Sequence, residues 1–343
     1  MSSVASNYRT SSGKRMIRNY WYLVCPVNEL TQNMAPRKIL GEKIVFFRDQ
    51  SGKAIALEDR CCHRNVQLSL GFLKKDNIVC GYHGWEYDGT GTCVRIPSQA
   101  DDVKIPKTAQ IKSYPLREFN RWVWIFMGDP GKADEVALPD IQEMNSWDFT
   151  YDSYVFKADL ESAAESLIDP YHIAFVHRNS IQSFMGQITD FPADFNLEVV
   201  EDGLEGTYRR ANVGKISEKV YFGKDPYINT FYRFYYPNIS HLELRFRERT
   251  LLILENVYAV DDEHVMMMQI TLWKNIFPKF PAFARMFMRR KSAKIVREDI
   301  AFLTSQKEIY DKTTGKRHEV TVKGDEISIA FRKYWKKKQE EAN

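Results

Sequence analysis

Short stretches in which apolar and polar positions alternate dominate the first 130 residues of the chain. They predict β-strands, because successive side chains along a strand face opposite sides of a sheet. Turn residues separate them, as at Asp49–Gly52 between two runs that predict a hairpin. The strands are expected at Asn19–Val24, Lys43–Arg48, Ala54–Glu58, Ile78–Cys80, Ile111–Leu116 and Arg121–Phe126. The pattern therefore predicts a small all-β domain in this part of the chain.

The second half of the chain combines longer amphipathic strands with a long helix. Strand-like runs fill the region from Asn196 to Leu272, with hairpin turns at Glu201–Gly203 and Asp261–Glu263. The stretch Phe283–Tyr310 then predicts one long helix. A curved antiparallel sheet followed by such a helix can enclose a cavity, so some of the many aromatic and Met side chains are expected to line a substrate pocket.

The composition is that of an ordinary globular protein, and the length of 343 residues favours two domains. The net charge of +4, from 49 Lys and Arg against 45 Asp and Glu, is too balanced to indicate nucleic-acid binding. No apolar run approaches the roughly twenty residues of a membrane span. Five cysteines, an odd number, argue against a disulfide framework and for a reducing compartment. We therefore expect a cytoplasmic protein. Residues 1–17 are expected to form a flexible tail.

Two short loops carry a complete set of metal ligands. Cys61 and His63 form a C-x-H motif, and Cys80 and His83 form a C-x-x-H motif after sixteen intervening residues. Two thiolates on one iron and two imidazoles on the other are the ligands of a Rieske [2Fe–2S] cluster. Tetrahedral zinc is the alternative, but common zinc fingers keep the two Cys together and the two His together. One Cys and one His in each loop favour the cluster.

A second set of candidate ligands lies in the segment that ends at His177. Glu165, Asp169 and His172 are spaced i, i+4 and i+7, which would place them on one face of a helix. His177 does not share that face, and Pro170 is expected to distort or end the helix. Two His and a carboxylate with open positions form the facial triad of non-haem Fe(II) oxygenases. The alternative is a pair of core histidines, but a cluster in the same chain would supply the electrons that such an iron requires.

At these residues the chain resembles the Rieske non-haem iron aromatic-ring-hydroxylating oxygenases, in their α (terminal oxygenase) subunit. The matching residues of the two loops are Cys61, His63, Arg64, Leu68, Ser69, Gly71, Cys80, Tyr82, His83, Gly84, Trp85, Tyr87, Gly91 and Cys93. In the second segment the family's Asp, His and His fall on Asp169, His172 and His177. The resemblance covers nearly the whole chain and is greatest to members that contain only α subunits, of the vanillate O-demethylase and phthalate dioxygenase types.

The resemblance implies the fold class α+β. An N-terminal all-β Rieske domain is expected over residues 18–132 and a catalytic mononuclear iron domain over residues 133–343. The catalytic domain is expected to have the helix-grip fold, an antiparallel sheet with long helices. Many members carry Asn three residues before the Asp of the second segment, where this chain has Ser166. Glu165 either fills part of that role or is structural.

The resemblance also implies the role of each site residue. The [2Fe–2S] cluster is expected on Cys61, His63, Cys80 and His83, and the mononuclear Fe(II) on His172, His177 and a late acidic residue. For that third iron ligand we choose Asp299, with Glu298 as the alternative. Asp169 is expected to carry electrons from His83 of one subunit to His172 of the next, within a homotrimer.

The activity implied by the resemblance is that of a terminal oxygenase in a multicomponent Rieske system. The chain has no flavin or nicotinamide fingerprint, so an NAD(P)H-dependent reductase, acting directly or through a ferredoxin, is expected to supply electrons. With O2, the enzyme would hydroxylate or oxidatively demethylate a small organic substrate, aromatic or cyclic. Monooxygenation, dioxygenation and demethylation use the same metal sites, so the sequence does not choose among them. A Rieske electron-transfer protein without oxygenase chemistry is the alternative function.

Overall fold

The computed structural model describes residues 16–100, 102–181, 193–211, 227–246, 249–276, 279–313 and 319–341. Residues 1–15 of the expected tail lie outside the described residues. The chain divides into two compact units, of which the first extends to Asn145 and includes Val260–Asp262. The second consists of Ser146–Ala259 and Glu263–Asn343. Within the described part of the chain, every helix is too short or too polar to cross a lipid bilayer.

The first unit is built from short antiparallel strands. They are β1 (Tyr20–Pro26), β2 (Ala35–Ile39), β3 (Glu42–Arg48), β4 (Ala54–Glu58), β5 (Phe72–Lys74), β6 (Asn77–Val79), β7 (Glu86–Tyr87), β8 (Cys93–Arg95), β9 (Leu116–Phe119) and β10 (Trp122–Met127). The sheets have the orders β1-β10-β9, β2-β3-β4 and β5-β6-β7-β8. Alternate residues of β3, among them Val45 and Phe47, pack in one core with Cys61, Cys80 and Tyr87. The core thus directly supports the two cluster loops.

The predicted hairpin of Lys43–Arg48 and Ala54–Glu58 is confirmed, with its turn at Gly52 in the left-handed region at φ +86°. The prediction of a strand at Ile111–Leu116 was wrong, because β9 begins only at Leu116. Pro115 lacks a backbone N–H and precedes this strand, which is a position that proline tolerates.

The second unit contains one antiparallel sheet with the order β11-β17-β16-β15-β14-β13-β12. Its strands are β11 (Asp148–Lys157), β12 (Ala193–Val200), β13 (Gly203–Ala211), β14 (Tyr227–Tyr235), β15 (Ile239–Phe246), β16 (Arg249–Ala259) and β17 (His264–Lys274). In the described part of the chain, the α-helices are α1 (Glu143–Ser146), α2 (Leu160–Ser166), α3 (Ile173–Val176), α4 (Pro281–Lys312) and α5 (Glu326–Glu341). The predicted long helix is confirmed as α4.

Helix α4 lies across one face of this sheet. The hydroxyl oxygens of Thr271 and Ser292 are 2.7 Å apart, and Met288 packs against Trp273. Farther along α4, the Thr304 hydroxyl donates to the carbonyl oxygen of Lys157, which pairs with the first residue of β17. Helix α4 therefore runs antiparallel to β17. The predicted combination of a sheet and a long covering helix is confirmed.

Candidate metal centres

The four predicted cluster ligands lie on two neighbouring loops, one after β4 and one between β6 and β7. The Cys61 and Cys80 side chains are buried, and the ring centroids of His63 and His83 are 4.7 Å apart. Burial raises the pKa of the Cys61 thiol, and contact with the Cys80 thiol raises it further. The structure therefore brings both thiols together in the core and both imidazoles together in the loops.

The environment of His63 fits a metal-bound imidazole. Its ring stacks on Trp85 with a centroid distance of 4.7 Å and an interplanar angle of 6°. Its Nδ1 atom is buried and has no hydrogen-bond partner among the residues that the structure describes. A buried polar atom without a partner is unfavourable, and coordination to iron would satisfy it. With the two buried thiols, this donor set fits a [2Fe–2S] cluster.

Two glycines allow the cluster loops to pass in close contact. A Cβ atom on Gly71 would lie 1.9 Å from the carbonyl oxygen of Val79, and one on Gly81 would lie 2.9 Å from that of Leu70. Any larger residue at Gly71 would force the backbones apart. The buried Asp59 carboxylate also fixes the first loop, because it accepts hydrogen bonds from the backbone N–H and hydroxyl of Ser69.

Tyr87 adds a hydrogen bond to the sulfur of a predicted cluster ligand, a role that the sequence motif did not reveal. Its buried hydroxyl lies 3.1 Å from Sγ of Cys61 and 3.3 Å from Sγ of Cys62. When Cys61 is a metal-bound thiolate, the hydroxyl must be the donor and the sulfur the acceptor. Tyr87 is therefore placed to stabilise negative charge on the sulfur.

The second set of predicted ligands also comes together. The ligand atoms of His172, His177 and Asp299 all lie within 4.8 Å of one another. Oδ1 of Asp299 is 3.2 Å from Nε2 of His177 and 3.7 Å from Nε2 of His172. Two imidazole nitrogens and one carboxylate oxygen that face a common point are the donor set of a facial triad.

The backbone around the two histidines departs from one continuous helix. Helix α2 ends at Ser166, and the short helix α3 has His172 and His177 at its two ends. The expected interruption near Pro170 is confirmed. The expected common helical face for Glu165, Asp169 and His172 is wrong, because the helix ends before Asp169.

Glu298 lies behind His177 rather than in the triad. Its Oε2 atom is 3.0 Å from Nδ1 of His177 and accepts a hydrogen bond from the Ser180 hydroxyl. Burial disfavours the charged imidazolium, but the carboxylates of Asp299 and Glu298 outweigh it and raise the pKa of His177. Asp299 thus lies beside both imidazoles. Glu298 lies beside only one of them, at Nδ1 of His177.

Asp169 contacts the other histidine. Its Oδ2 atom lies 3.4 Å from Nδ1 of His172, and its Oδ1 accepts a 2.7 Å hydrogen bond from the backbone N–H of Tyr171. Burial opposes ionisation, but these donors together lower the pKa of Asp169. Two hydrogen bonds of 2.7 and 2.8 Å hold Glu165 to Arg332 on α5, which supports its structural interpretation.

Comparison with known protein families gives two matches within the chain. The Rieske [2Fe-2S] domain matches residues 20–115, which confirms the predicted cluster cofactor. The vanillate O-demethylase oxygenase C-terminal domain matches residues 156–341.

Two relatives illustrate the similarity of sequence. The iron-sulfur subunit of the toluene-4-sulfonate monooxygenase system of Comamonas testosteroni is 36% identical over 168 residues, which are 48% of this chain and 48% of that protein. The vanillate O-demethylase oxygenase subunit of a Pseudomonas species is 32% identical over 166 residues, which are 48% of this chain and 46% of that protein. The matched region thus spans about half the length of these curated relatives.

The similarity of fold extends over almost the entire chain. The crystal structure of dicamba monooxygenase bound to dicamba superposes with a TM-score of 0.78 at 19% identity, over 96% of this chain and 100% of that one. The predicted fold class, an all-β Rieske domain followed by an antiparallel sheet with helices, is confirmed. Because the second domain family alone matches more than half of the chain, the protein belongs to the Rieske non-haem iron oxygenases, with a C-terminal domain of the vanillate O-demethylase oxygenase type.

Proposed function

We propose that this protein is the terminal oxygenase of a multicomponent Rieske system. It uses O2 and reductase-supplied electrons to hydroxylate or oxidatively demethylate a small organic substrate, aromatic or cyclic. The observation that carries the proposal is the convergence of His172, His177 and Asp299 in a chain that also has the Cys and His cluster loops. A protein that only carried electrons would not need this second donor set.

Each side chain has a defined task in this proposal. Cys61, Cys80, His63 and His83 hold the [2Fe–2S] cluster, and His172, His177 and Asp299 hold the mononuclear iron. When bound, these groups supply the electron transfer and the oxygen chemistry. Glu298 lies 3.0 Å from Nδ1 of His177 and holds that ring with Nε2 directed toward Asp299, and Asp169 lies 3.4 Å from Nδ1 of His172. The three residues would hold the iron, which would supply the chemistry with O2.

The electron route is proposed to cross a subunit boundary in a homotrimer. Asp169 contacts His172 through one carboxylate oxygen. His83 is exposed on its loop beside Tyr82, whose side chain is 63% exposed. His83 of the partner subunit is therefore free to approach Asp169. An NAD(P)H-dependent reductase, acting directly or through a ferredoxin, donates the electrons, and the cytoplasmic location stays a prediction from the cysteine usage.

The test compares the wild-type protein with Asp299→Ala and with Glu308→Ala, an exposed control on the same helix. Cluster content is read from the visible spectrum and the electron paramagnetic resonance signal of the reduced protein. Mononuclear iron is assayed chemically, and turnover is measured as substrate-dependent O2 uptake with a surrogate reductase. We expect Asp299→Ala to keep the cluster signal and to lose mononuclear iron and turnover. Full turnover in this variant, or a colourless zinc-containing wild-type protein, would refute the proposal.

A further inference from the structure

A buried carboxyl group lies on the sheet face that α4 covers. Glu255 in β16 pairs directly with Ser240 in β15 and Gln269 in β17, so the three side chains project from the same face. The Ser240 hydroxyl and the Gln269 amide each donate a hydrogen bond to a carboxylate oxygen of Glu255, and both donor–acceptor distances are 3.2 Å. All three side chains are buried, with exposed fractions of 1% for Ser240, 9% for Glu255 and 4% for Gln269. We call these three residues the acceptor row.

The acceptor row lies under the part of α4 that carries Asp299. Thr271 is two residues beyond Gln269 on the same face of the sheet and contacts Ser292 of α4. Asp299 follows Ser292 by seven residues, about two helical turns, and therefore projects from the same side of α4. Helix α4 runs antiparallel to β17. Asp299 therefore lies farther along the sheet than Ser292, on the side of Thr271 where Gln269 is found.

The electrostatics of Glu255 agree with this position. Burial, followed by the charge of Asp299, raises the pKa of Glu255, while Ser240, His172 and Gln269 lower it, and the net result is a pKa of about 7. Two of the three candidate iron ligands therefore act on this carboxyl group. The acceptor row faces the candidate iron site rather than the opposite side of the sheet.

Hydrogen-bond acceptors exceed donors in this row. In its ionised form, which predominates above pH 7, Glu255 offers about four acceptor positions, and it receives the two hydrogen bonds from Ser240 and Gln269. The Oε1 atom of Gln269 is buried without a hydrogen-bond partner in the described part of the chain. No Lys or Arg side chain pairs with Glu255 among the described residues. The row therefore lacks N–H and O–H groups, which a bound molecule can supply.

We propose that the acceptor row is the polar recognition site of the substrate, and that the substrate presents an O–H or N–H donor and no negative charge to it. The inference rests on the proposed function, because that function makes the region beside His172 and Asp299 the reaction site. A carboxylate or sulfonate at this position would leave the buried acceptors unpaired and would add repulsion from Glu255. The row thus selects for alcohols, phenols, amines or amides and against organic anions.

The test uses three probes of nearly equal shape: 4-methoxybenzyl alcohol, 4-methoxybenzylamine and 4-methoxybenzoate. Their dissociation constants are measured by calorimetry on the holoenzyme with both metal centres loaded. The wild-type enzyme should bind the alcohol and the amine at least about tenfold more tightly than the benzoate, the effect of one or more unsatisfied buried acceptors. Glu255→Gln should weaken amine binding and strengthen benzoate binding, each by about tenfold.

A matched control is Glu243→Gln. Glu243 is also a buried carboxylate in β15, but it projects from the opposite face and is held by Arg245 at 2.7 and 2.9 Å. This variant should leave the probe preference unchanged. Gln269→Leu is a second test that keeps the carboxylate, and it should weaken alcohol binding several-fold because an acceptor is lost.

The outcomes separate the inference from the proposed function. The same preference in wild-type and Glu255→Gln enzyme would overturn the inference, as would tighter benzoate binding or no binding of the alcohol and the amine by the wild type. Calorimetry does not require turnover. A protein that discriminates among the probes but takes up no O2 would therefore refute only the oxygenase function. An active oxygenase that does not discriminate would refute only the recognition site.

Discussion

The two ring nitrogens of His177 are held by two consecutive residues of α4: Nδ1 lies 3.0 Å from Glu298 and Nε2 lies 3.2 Å from Asp299. Neighbouring residues on a helix point about 100° apart. This difference lets the Glu298 carboxylate approach Nδ1 of the imidazole while the Asp299 carboxylate approaches Nε2. The orientation of the ring is therefore fixed by a single turn of one helix.

Replacement of Glu298 by Ala should weaken the iron site without removing a ligand. Loss of the acceptor at Nδ1 frees the ring of His177, and such changes lower metal affinity by about 10–100-fold. Mononuclear iron retained after dialysis against a graded chelator series measures the effect, with Glu308→Ala as the control. Wild-type iron retention in Glu298→Ala would contradict the role assigned to this carboxylate.

Asp169→Asn should slow electron transfer while both metal centres remain occupied. The amide keeps the shape of the side chain but loses the negative charge that faces His172. We expect the cluster of the reduced protein to be oxidised at least about tenfold more slowly in a single turnover with O2 and substrate. Glu165→Gln is the control, because the Arg332 pair gives Glu165 a structural role. An unchanged rate in Asp169→Asn, or an equal loss in Glu165→Gln, would count against the bridge.

Tyr87→Phe should lower the reduction potential of the cluster. The Tyr87 hydroxyl is 3.1 Å from the Cys61 sulfur, and its hydrogen bond strengthens as the cluster gains negative charge. A differential hydrogen-bond energy of about 1 kcal/mol corresponds to a decrease of roughly 40 mV for one electron. Spectroelectrochemical titration measures the shift, and Tyr82→Phe, at an exposed ring, is the comparison. A Tyr87→Phe potential equal to that of the wild type would exclude this contribution.

Gly71→Ala should prevent normal assembly of the cluster. The new Cβ would lie 1.9 Å from the backbone oxygen of Val79, so the two ligand loops must separate. The resulting strain is on the order of 1–3 kcal/mol or more, and it falls on residues beside Cys80. We expect most of the visible cluster absorbance to be lost on purification. Gly131→Ala meets only an ordinary contact of 3.4 Å and should keep full absorbance; equal absorbance in both variants would show that the loop contact is unimportant.

Features carried by local sequence were predictable from the chain alone. The cluster loops are defined by two short motifs, and the hairpin before Cys61 follows from apolar alternation around a Gly-containing turn. The long helix was also recognisable, because the helical pattern of Phe283–Tyr310 continues without interruption. These features depend on residues that are near one another in the sequence.

Features that depend on distant packing were not predictable to the same degree. Glu298 and Asp299 are neighbours in the sequence, and only the rotation of α4 against His177 decides which one faces the triad. The helical spacing of Glu165, Asp169 and His172 failed because α2 ends earlier than this pattern implies. Glu255 did leave a signal, since it is a single acidic residue in the apolar run Leu251–Val260. Its relation to Ser240 and Gln269, however, requires the pairing of three strands.

Helix α4 places limits on how the sequence of this protein can change. The helix carries Ser292 against the sheet and Asp299 at the candidate triad, so a bulkier residue at Ser292 would tilt the helix and displace the proposed metal ligand. Side chains on the strands, such as those of Ser240 and Glu255, can be exchanged without moving that ligand. Libraries intended to change substrate preference should therefore vary the strand positions and leave the inner face of α4 as it is.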